Sequence, residues 1–389
     1  MKEGWRYEKL DDLGTIVTGA TPSTNDESNY FPKEYCFVKP SDLPLNGVGS
    51  IHETENYVSS KGLSVSRPLP AGSVLTTCIG TIGKVGLLLQ EGCTNQQINA
   101  VIPNNKINSR YLAYALLSIR KQLEFIANAP VVPIINKKCF SKIHIGYPPK
   151  PTQLSIVSEL DKINELIRIK KEQLKDYDTL AQSIFYEMFG DPVVNEKGWE
   201  MKTLGHICEI TSSKRVFANE YVDTGVPFYR SKEVIEKSKQ LPISVELYIS
   251  ESHYNKIKSS FGVPQIGDIL VTAVGTIGKI WVVDTNEPFY FKDGNLVWLR
   301  NIKGAHCEYF RYSLFYLIDE YKKVNANGAA YNALTIAKLK LMLCPLPPLS
   351  LQQSFAQKIE QIEQQKAAIQ KTITDLETLL AARMQYWFD

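Results

Sequence analysis

Residues 154–189 read LSIVSELDKINELIRIKKEQLKDYDTLAQSIFYEMF. Taking alternate steps of four and three gives Ile156, Leu160, Ile163, Ile167, Lys170, Leu174, Tyr177, Ala181, Ile184 and Met188, without a slip. That is the a/d seam of a heptad, so the stretch is a long helix with one apolar stripe. Adding 199 to each number returns a second copy: Phe355, Ile359, Ile362, Lys366, Ile369, Ile373, Leu376, Leu380, Arg383 and Trp387. Each helix would run roughly 50 Å at ~1.5 Å per residue. Each is preceded by a proline pair and a glutamine, Pro148-Pro149…Gln153 and Pro347-Pro348…Gln352, and each ends on an aromatic cluster. A lone amphipathic helix of this length cannot bury its stripe, and the evident partner is the other copy. Lys170, Lys366 and Arg383 interrupt the seam, and polar seam residues usually fix register at some cost in stability.

The chain has 389 residues, 44% hydrophobic and 22% charged, which suits a folded protein of two or three domains. The helical stretches 151–190 and 347–389 carry −2 and −1 against a net charge of +3, so the remainder carries +6. Positive charge outside the helices favours a polyanion partner there. Seven scattered cysteines without a C-x-x-C pattern read as reduced thiols of a cytoplasmic protein. No apolar run is long enough for a membrane span, and the opening residues form no signal region.

The duplication extends to everything before each helix. Gly4-Trp5…Leu10 matches Gly198-Trp199…Leu204, and Tyr111-Leu112-Ala113-Tyr114 matches Tyr309-Phe310-Arg311-Tyr312. Phe37-Val38-Lys39-Pro40-Ser41-Asp42 lies where Phe228-Tyr229-Arg230-Ser231-Lys232-Glu233 lies. The chain therefore reads as domain 1–147, helix 148–190, domain 191–346 and helix 347–389. Inside the domains the period is mostly two. Strand-like runs at 73–79 and 268–274 lead into Gly80-Thr81-Ile82-Gly83-Lys84 and Gly275-Thr276-Ile277-Gly278-Lys279, and strand-like runs follow, so each copy holds a hairpin on a glycine turn. Residues 111–126 and 309–323 read as short helices. Polar loops at 18–35 and 212–226 are long enough to be functional.

The two Gly-x-x-Gly-Lys turns lack the G-x-x-x-x-G-K-[ST] spacing of a nucleotide-triphosphate loop and sit between strands rather than before a helix. Two compatible readings stay open: a turn that needs glycine torsions, and exposed amides plus a lysine that hold a nucleic-acid phosphate. Lys39 and Arg230-Ser231-Lys232 follow strand-like runs, as solvated strand ends or as groups for guanine edges and phosphates. Lys214-Arg215 and Asn136-Lys137-Lys138 are weaker basic clusters, while Asn95-Gln96-Gln97 and Asn325-Ala326-Asn327-Gly328 are better read as turns than as adenine readers. The five histidines show no metal-ligand spacing, and there is no nucleophile elbow or cofactor loop. Asp191, Glu200 and Lys202 make a nuclease-like trio by chance, without a counterpart in the first copy.

In the order and duplication of these motifs the chain resembles the specificity (S) subunits of type I restriction–modification enzymes. The resemblance rests on the paired Gly-Trp starts, Thr18-Gly19-Ala20-Thr21-Pro22-Ser23, the stretch 224–234, the glycine turns and the Pro-Pro…Gln helices, and it covers nearly the full chain. It implies an α+β protein: two pseudo-two-fold related globular α/β target recognition domains joined by two long helices forming an antiparallel coiled coil. It further implies recognition of a bipartite double-stranded DNA target and no catalysis of its own. The implied partners are methyltransferase (M) subunits and restriction/motor (R) subunits, to which S-adenosylmethionine, ATP and Mg belong. Candidate DNA contacts are then Thr21, Ser23, Lys39, Ser41, Thr81, Lys84 and Lys137, with Lys214, Arg215, Arg230, Ser231, Lys232, Thr276 and Lys279 in the second copy. Lys39-Pro40-Ser41-Asp42 departs from the more typical Arg230-Ser231-Lys232-Glu233, so contacts transfer less directly to the first copy. A duplicated protein-binding scaffold, and an enzyme that both reads and modifies DNA, are the other classes the sequence leaves open.

Overall fold

The computed structural model describes all residues except 1, 3, 128–132 and 326–332. The chain divides into two compact units, one of residues 1–171 with 371–389 and one of residues 172–370. The two long helices are Lys150–Phe189 and Leu349–Phe388. Each gives one half to each unit, so a unit holds one domain, the start of that domain's own helix and the end of the other helix.

The first unit is built on a five-stranded sheet in the order Gly14–Thr18, Ile98–Pro103, Val74–Thr77, Val85–Leu88 and Val48–Ile51. Only the last pairing is parallel. The period of two decides which core each side chain joins. Val74, Leu87 and Val101 face the core that holds the helix Ser109–Ser118, while Leu75, Leu88 and Ala100 face the opposite one. The second unit repeats the scheme with Glu209–Thr211, Leu296–Arg300, Ile269–Thr272 and Ile280–Val282. Ile269, Val271 and Leu299 turn to one core and Leu270, Trp281 and Trp298 to the other. The hairpins expected around the glycine turns are present, with Val74 opposite Leu87 and Ile269 opposite Val282. The helix expected over 111–126 is two helices, Ser109–Ser118 and Arg120–Ile126, broken at Ile119; its counterpart Cys307–Val324 is continuous.

None of the twenty seam positions is exposed. Within the first unit Glu159 accepts bonds from Arg383 and from Trp387 Nε1, and Lys171 pairs with Glu377 at 2.7 Å. One number rises as the other falls, so the helices run antiparallel. The second unit shows the same sense, with Lys366 on Asp178 at 2.8 Å and Phe185 against Phe355. The aromatic end of each helix packs on the other repeat's domain. Phe185 and Phe189 join a core with Tyr309 and Tyr312, while Trp387 and Phe388 lie on the core that holds Tyr111 and Ile156.

The glutamine after each proline pair is fully buried and joins helix to domain. Gln153 accepts from the Asn108 N–H at 2.8 Å and donates to the carbonyls of Lys106 and Pro148. Gln352 does the same with the His306 N–H, Gly304 and Pro347. All three bonds end on backbone, so the device tolerates sequence change around it. Gln352→Leu leaves the His306 amide without its acceptor and is expected to cost about 1–3 kcal/mol, read as a lower unfolding midpoint in urea.

Candidate nucleic-acid interface

The two glycine turns share one hydrogen-bond scheme. Thr77 donates its hydroxyl to the Thr81 carbonyl and accepts from the Lys84 N–H at 3.0 Å, while Gly83 N–H meets the Thr77 carbonyl. Thr272 does the same with Thr276, Lys279 and Gly278. The threonine, buried in both copies, pins a loop that must protrude. Gly83 and Gly278 have φ of +77° and +83°, and a Cβ at either would lie 2.7 Å from Arg120 Cγ or Ile318 Cγ2. Only glycine meets both demands. Thr81 and Thr276 stand exposed at the tips.

The lysines that end the turns differ. Lys84 is half-buried and donates its Nζ to the Pro40 carbonyl at 2.7 Å, tying the turn to the segment Lys39-Pro40-Ser41-Asp42. Lys279 is exposed on a cleft lined by Lys239, Arg311 and Tyr312, and its ammonium meets no partner among the described residues. Their shared motif therefore carries two functions: a strut in the first copy and an open cation in the second.

Lys39 and Arg230 occupy one structural position. Asp42 accepts from the Lys39 N–H at 2.7 Å, and Glu233 from the Arg230 N–H at 2.7 Å. A carboxylate three residues on, reaching back to the backbone, is half of a capping box. The departure Lys-Pro-Ser-Asp thus keeps the frame and changes the side chains it displays. Arg230 precedes the helix Ser231–Ser238, and its guanidinium reaches Glu233 and Glu246, while Lys232 pairs with Glu246 at 2.7 Å. Lys232 and Arg230 together pull the Glu246 carboxyl down to about 2. Ser41 is exposed, and the Ser231 hydroxyl is buried without a partner.

The long polar loops are folded. Thr21 donates to Gln96 at 2.7 Å, and the Ser23 carbonyl accepts from Asn29. The Lys214 N–H bonds the Tyr290 hydroxyl and its ammonium lies 4.7 Å from the Phe261 ring centroid, while Arg215 pairs with Asp293 at 2.7 Å. Lys137 is exposed and opens the short helix Lys137–Ser141, capped by Asn136. The structure brings Lys39 and Lys84 to one segment, and Arg230 and Lys232 to another; Thr21, Ser23, Lys137, Lys214 and Arg215 sit on other loops. Of the cluster 325–328 only Asn325 lies among the described residues, where its amide donates to the Tyr321 carbonyl at the helix end.

Sequence reasoning passed over Glu246, Gln153 and Gln352 as functional parts. The capping spacing signals Glu233, and the local offset of 191 between copies signals Glu246 through Glu55; nothing local signals their partners. Among the described residues no group of His, Cys, Asp or Glu could hold a metal ion, and no helix is long and apolar enough to cross a membrane. The cysteines are free thiols, and burial pushes Cys78, Cys93, Cys208 and Cys344 up to about 12, leaving them unreactive near neutral pH.

A tandem pair of α/β domains on antiparallel helices, each presenting a glycine turn and a capped basic segment, defines a class. The type I restriction modification DNA specificity domain matches residues 2–176 and again 196–378, and the chain belongs to that family. It is 27% identical over 253 residues to the MjaIX specificity subunit of Methanocaldococcus jannaschii, covering 60% of this chain and 58% of that one. It is 27% identical over 274 residues to the putative specificity subunit S.HindORF215P of Haemophilus influenzae, covering 69% and 68%. The fold is shared with the type I restriction–modification S subunit from M. genitalium, at TM-score 0.54 and 14% identity, over 100% of this chain and 98% of that one. A structure describing complex assembly and conformational transition of the type I R-M system aligns at TM-score 0.61 and 21% identity, over 100% and 98%.

Proposed function

We propose that the chain is the DNA-sequence recognition subunit of a type I restriction–modification complex, each domain reading one half of an interrupted double-stranded target. It docks methyltransferase (M) and restriction/motor (R) subunits in the cytoplasm and carries no catalysis. S-adenosylmethionine, ATP and Mg belong to those partners. The observation that carries this reading is repetition with difference. Both units hold the same turn and the same cap, but one displays Lys39 and Ser41 where the other displays Arg230 and Lys232. A repeated frame suits the repeating geometry of a duplex, and different side chains suit two different half-sites. Methylome sequencing of a host carrying the chain and its methyltransferase partner tests it: an asymmetric, bipartite motif is expected, and no methylation dependent on the chain would overturn the reading.

Lys279→Ala is expected to weaken binding to target and random duplex alike, lowering the log–log salt slope by about one. Lys84→Ala also removes the strut to Pro40 and should disturb the first half-site specifically. Equal, purely non-specific losses in both variants would contradict this difference.

For Arg230 an alanine would leave the buried Glu233 without its guanidinium, so the informative variant is Arg230→Lys. It keeps the charge and loses the planar fork. Discrimination at the second half-site should fall by ~1–3 kcal/mol, the worth of a bidentate base contact, with the first half-site intact in competition binding.

A further inference from the structure

The carboxylate of Glu246 bridges two of the cations that the second domain offers. One oxygen lies 2.8 Å from Arg230 Nη2 and the other 2.7 Å from Lys232 Nζ. The same Nη2 reaches Glu233 at 3.0 Å, while the Arg230 Nε is buried with no partner. Glu233 is structural, being buried and bonded to the Arg230 backbone. Glu246 differs. Its side chain is 51% exposed, it stands in an irregular stretch before the strand Tyr248–Ile249, and among the described residues its carboxylate meets only these two side chains. A two-oxygen anion across Arg and Lys has the charge of a DNA phosphate and, like the neutral O6/N7 edge of guanine, offers paired acceptors.

We propose that Glu246 is an intramolecular stand-in for DNA, holding Arg230 and Lys232 until a duplex that satisfies both displaces it. The inference rests on the DNA-reading function above and adds a specificity residue to it. A random duplex offers phosphates but not the matching base edges, so it competes poorly with a carboxylate already in place. A cognate half-site offers both.

The first domain supports this by comparison. Glu55 stands 191 residues before Glu246, the offset that also relates Lys39 to Arg230 and Asp42 to Glu233. The local backbone matches, with Phe37 N–H on the Asn56 carbonyl and Phe228 N–H on that of Leu247. Yet Glu55 is exposed and makes no ion pair among the described residues, and the Lys39 ammonium lies 5.5 Å from the Phe37 ring centroid. Ser41 replaces Lys232, so the second cation that would hold the carboxylate is absent. The frame places an acid at the same backbone position in both domains, and only the second domain closes it on a cation.

The test uses the full chain with its methyltransferase partner, titrated with a random-sequence duplex and with the mapped target over a range of salt. Glu246→Gln should bind the random duplex about three- to tenfold tighter and steepen its log–log salt slope by about one, because a released cation now meets phosphate. Target binding should rise less, so the specificity ratio falls. Glu55→Gln should change neither. Lys232→Gln breaks the same ion pair from the other side and should weaken random-duplex binding, which separates loss of the stand-in from mere loosening of the segment. Unchanged or weaker random-duplex binding by Glu246→Gln overturns the proposal. A wild-type complex that binds no duplex overturns the DNA-reading function itself, a different result.

Discussion

Residues 1–190 expressed alone will associate weakly, and Glu159→Leu will tighten the pair. In the intact chain the seam around Ile156 and Leu160 packs beside Leu380, Met384 and Trp387 from the end of the second helix. A chain cut at 190 lacks that segment and exposes the stripe. The equivalent end of its own helix, 199 residues earlier, can replace it only in a second copy, paired antiparallel. Such a dimer is two-fold symmetric and would present one domain twice, so its methylated target should be a palindrome of the first half-site. The obstacle is specific. Glu159 now bonds Arg383 and Trp387, and the residues at those places in the repeat are Ile184 and Met188, which donate nothing. The two-fold axis falls near residue 173: the Glu159–Arg383 and Lys171–Glu377 pairs become 159 with 184 and 171 with 178, so Lys171 of one copy meets Asp178 of the other. Leaving a charged group without its partner costs about 1–3 kcal/mol, and symmetry counts it twice. Glu159→Leu should therefore strengthen the dimer by about 2–6 kcal/mol, measurable by sedimentation equilibrium. A Glu159→Leu fragment no tighter than wild type would refute this register.

The pH dependences should oppose each other. Arg383, with Trp387, lowers the Glu159 carboxyl from its ordinary 4.5 in the intact chain. A lowered carboxyl contributes stability that is present above 4.5 and lost as pH falls through the folded value. In the fragment dimer the same group faces apolar side chains, which raises it. That dimer should tighten as pH falls toward the unshifted value, while the intact contact loosens.

The second large effect is expected from Phe185→Ala, at about 3–5 kcal/mol. Phe185 is fully buried, with ring centroids of Phe189, Tyr309, Tyr312, Tyr316 and Phe355 all within 6 Å. No neighbouring backbone can collapse easily into a space bounded by two helices and a domain. The unfolding midpoint of the full chain should drop, and the second unit should melt before the first, splitting the calorimetric transition. Leu166→Ala, on the exposed side of the same helix, should stay within about 0.5 kcal/mol. Function should follow the loss. The helix that carries Tyr309 and Tyr312 also carries Ile318, which lies against Gly278 beside the Lys279 turn. On warming, methylation should lose specificity at the second half-site first. A single transition, shifted as a whole with both half-sites failing together, would contradict this.

The sequence by itself determined the parts that repeat or depend on near neighbours. Heptad spacing showed the two helices and their buried faces, because a stripe is a property of one helix. Period two and the glycine pairs showed the hairpins, because a turn is made by the residues it contains. The offset between copies showed the duplication, and with it the family. The tertiary structure decided the partners. Phe185 packs on the second domain and not on its own, Gln153 and Gln352 hold backbone 45 and 46 residues away, and Glu159 finds Arg383 across 224 residues. Identical Gly-Thr-Ile-Gly-Lys turns end in a tethered lysine and an open one, because Pro40 lies beside only the first. Such choices depend on which surfaces meet after the chain closes on itself, and no window of sequence contains both sides of the contact.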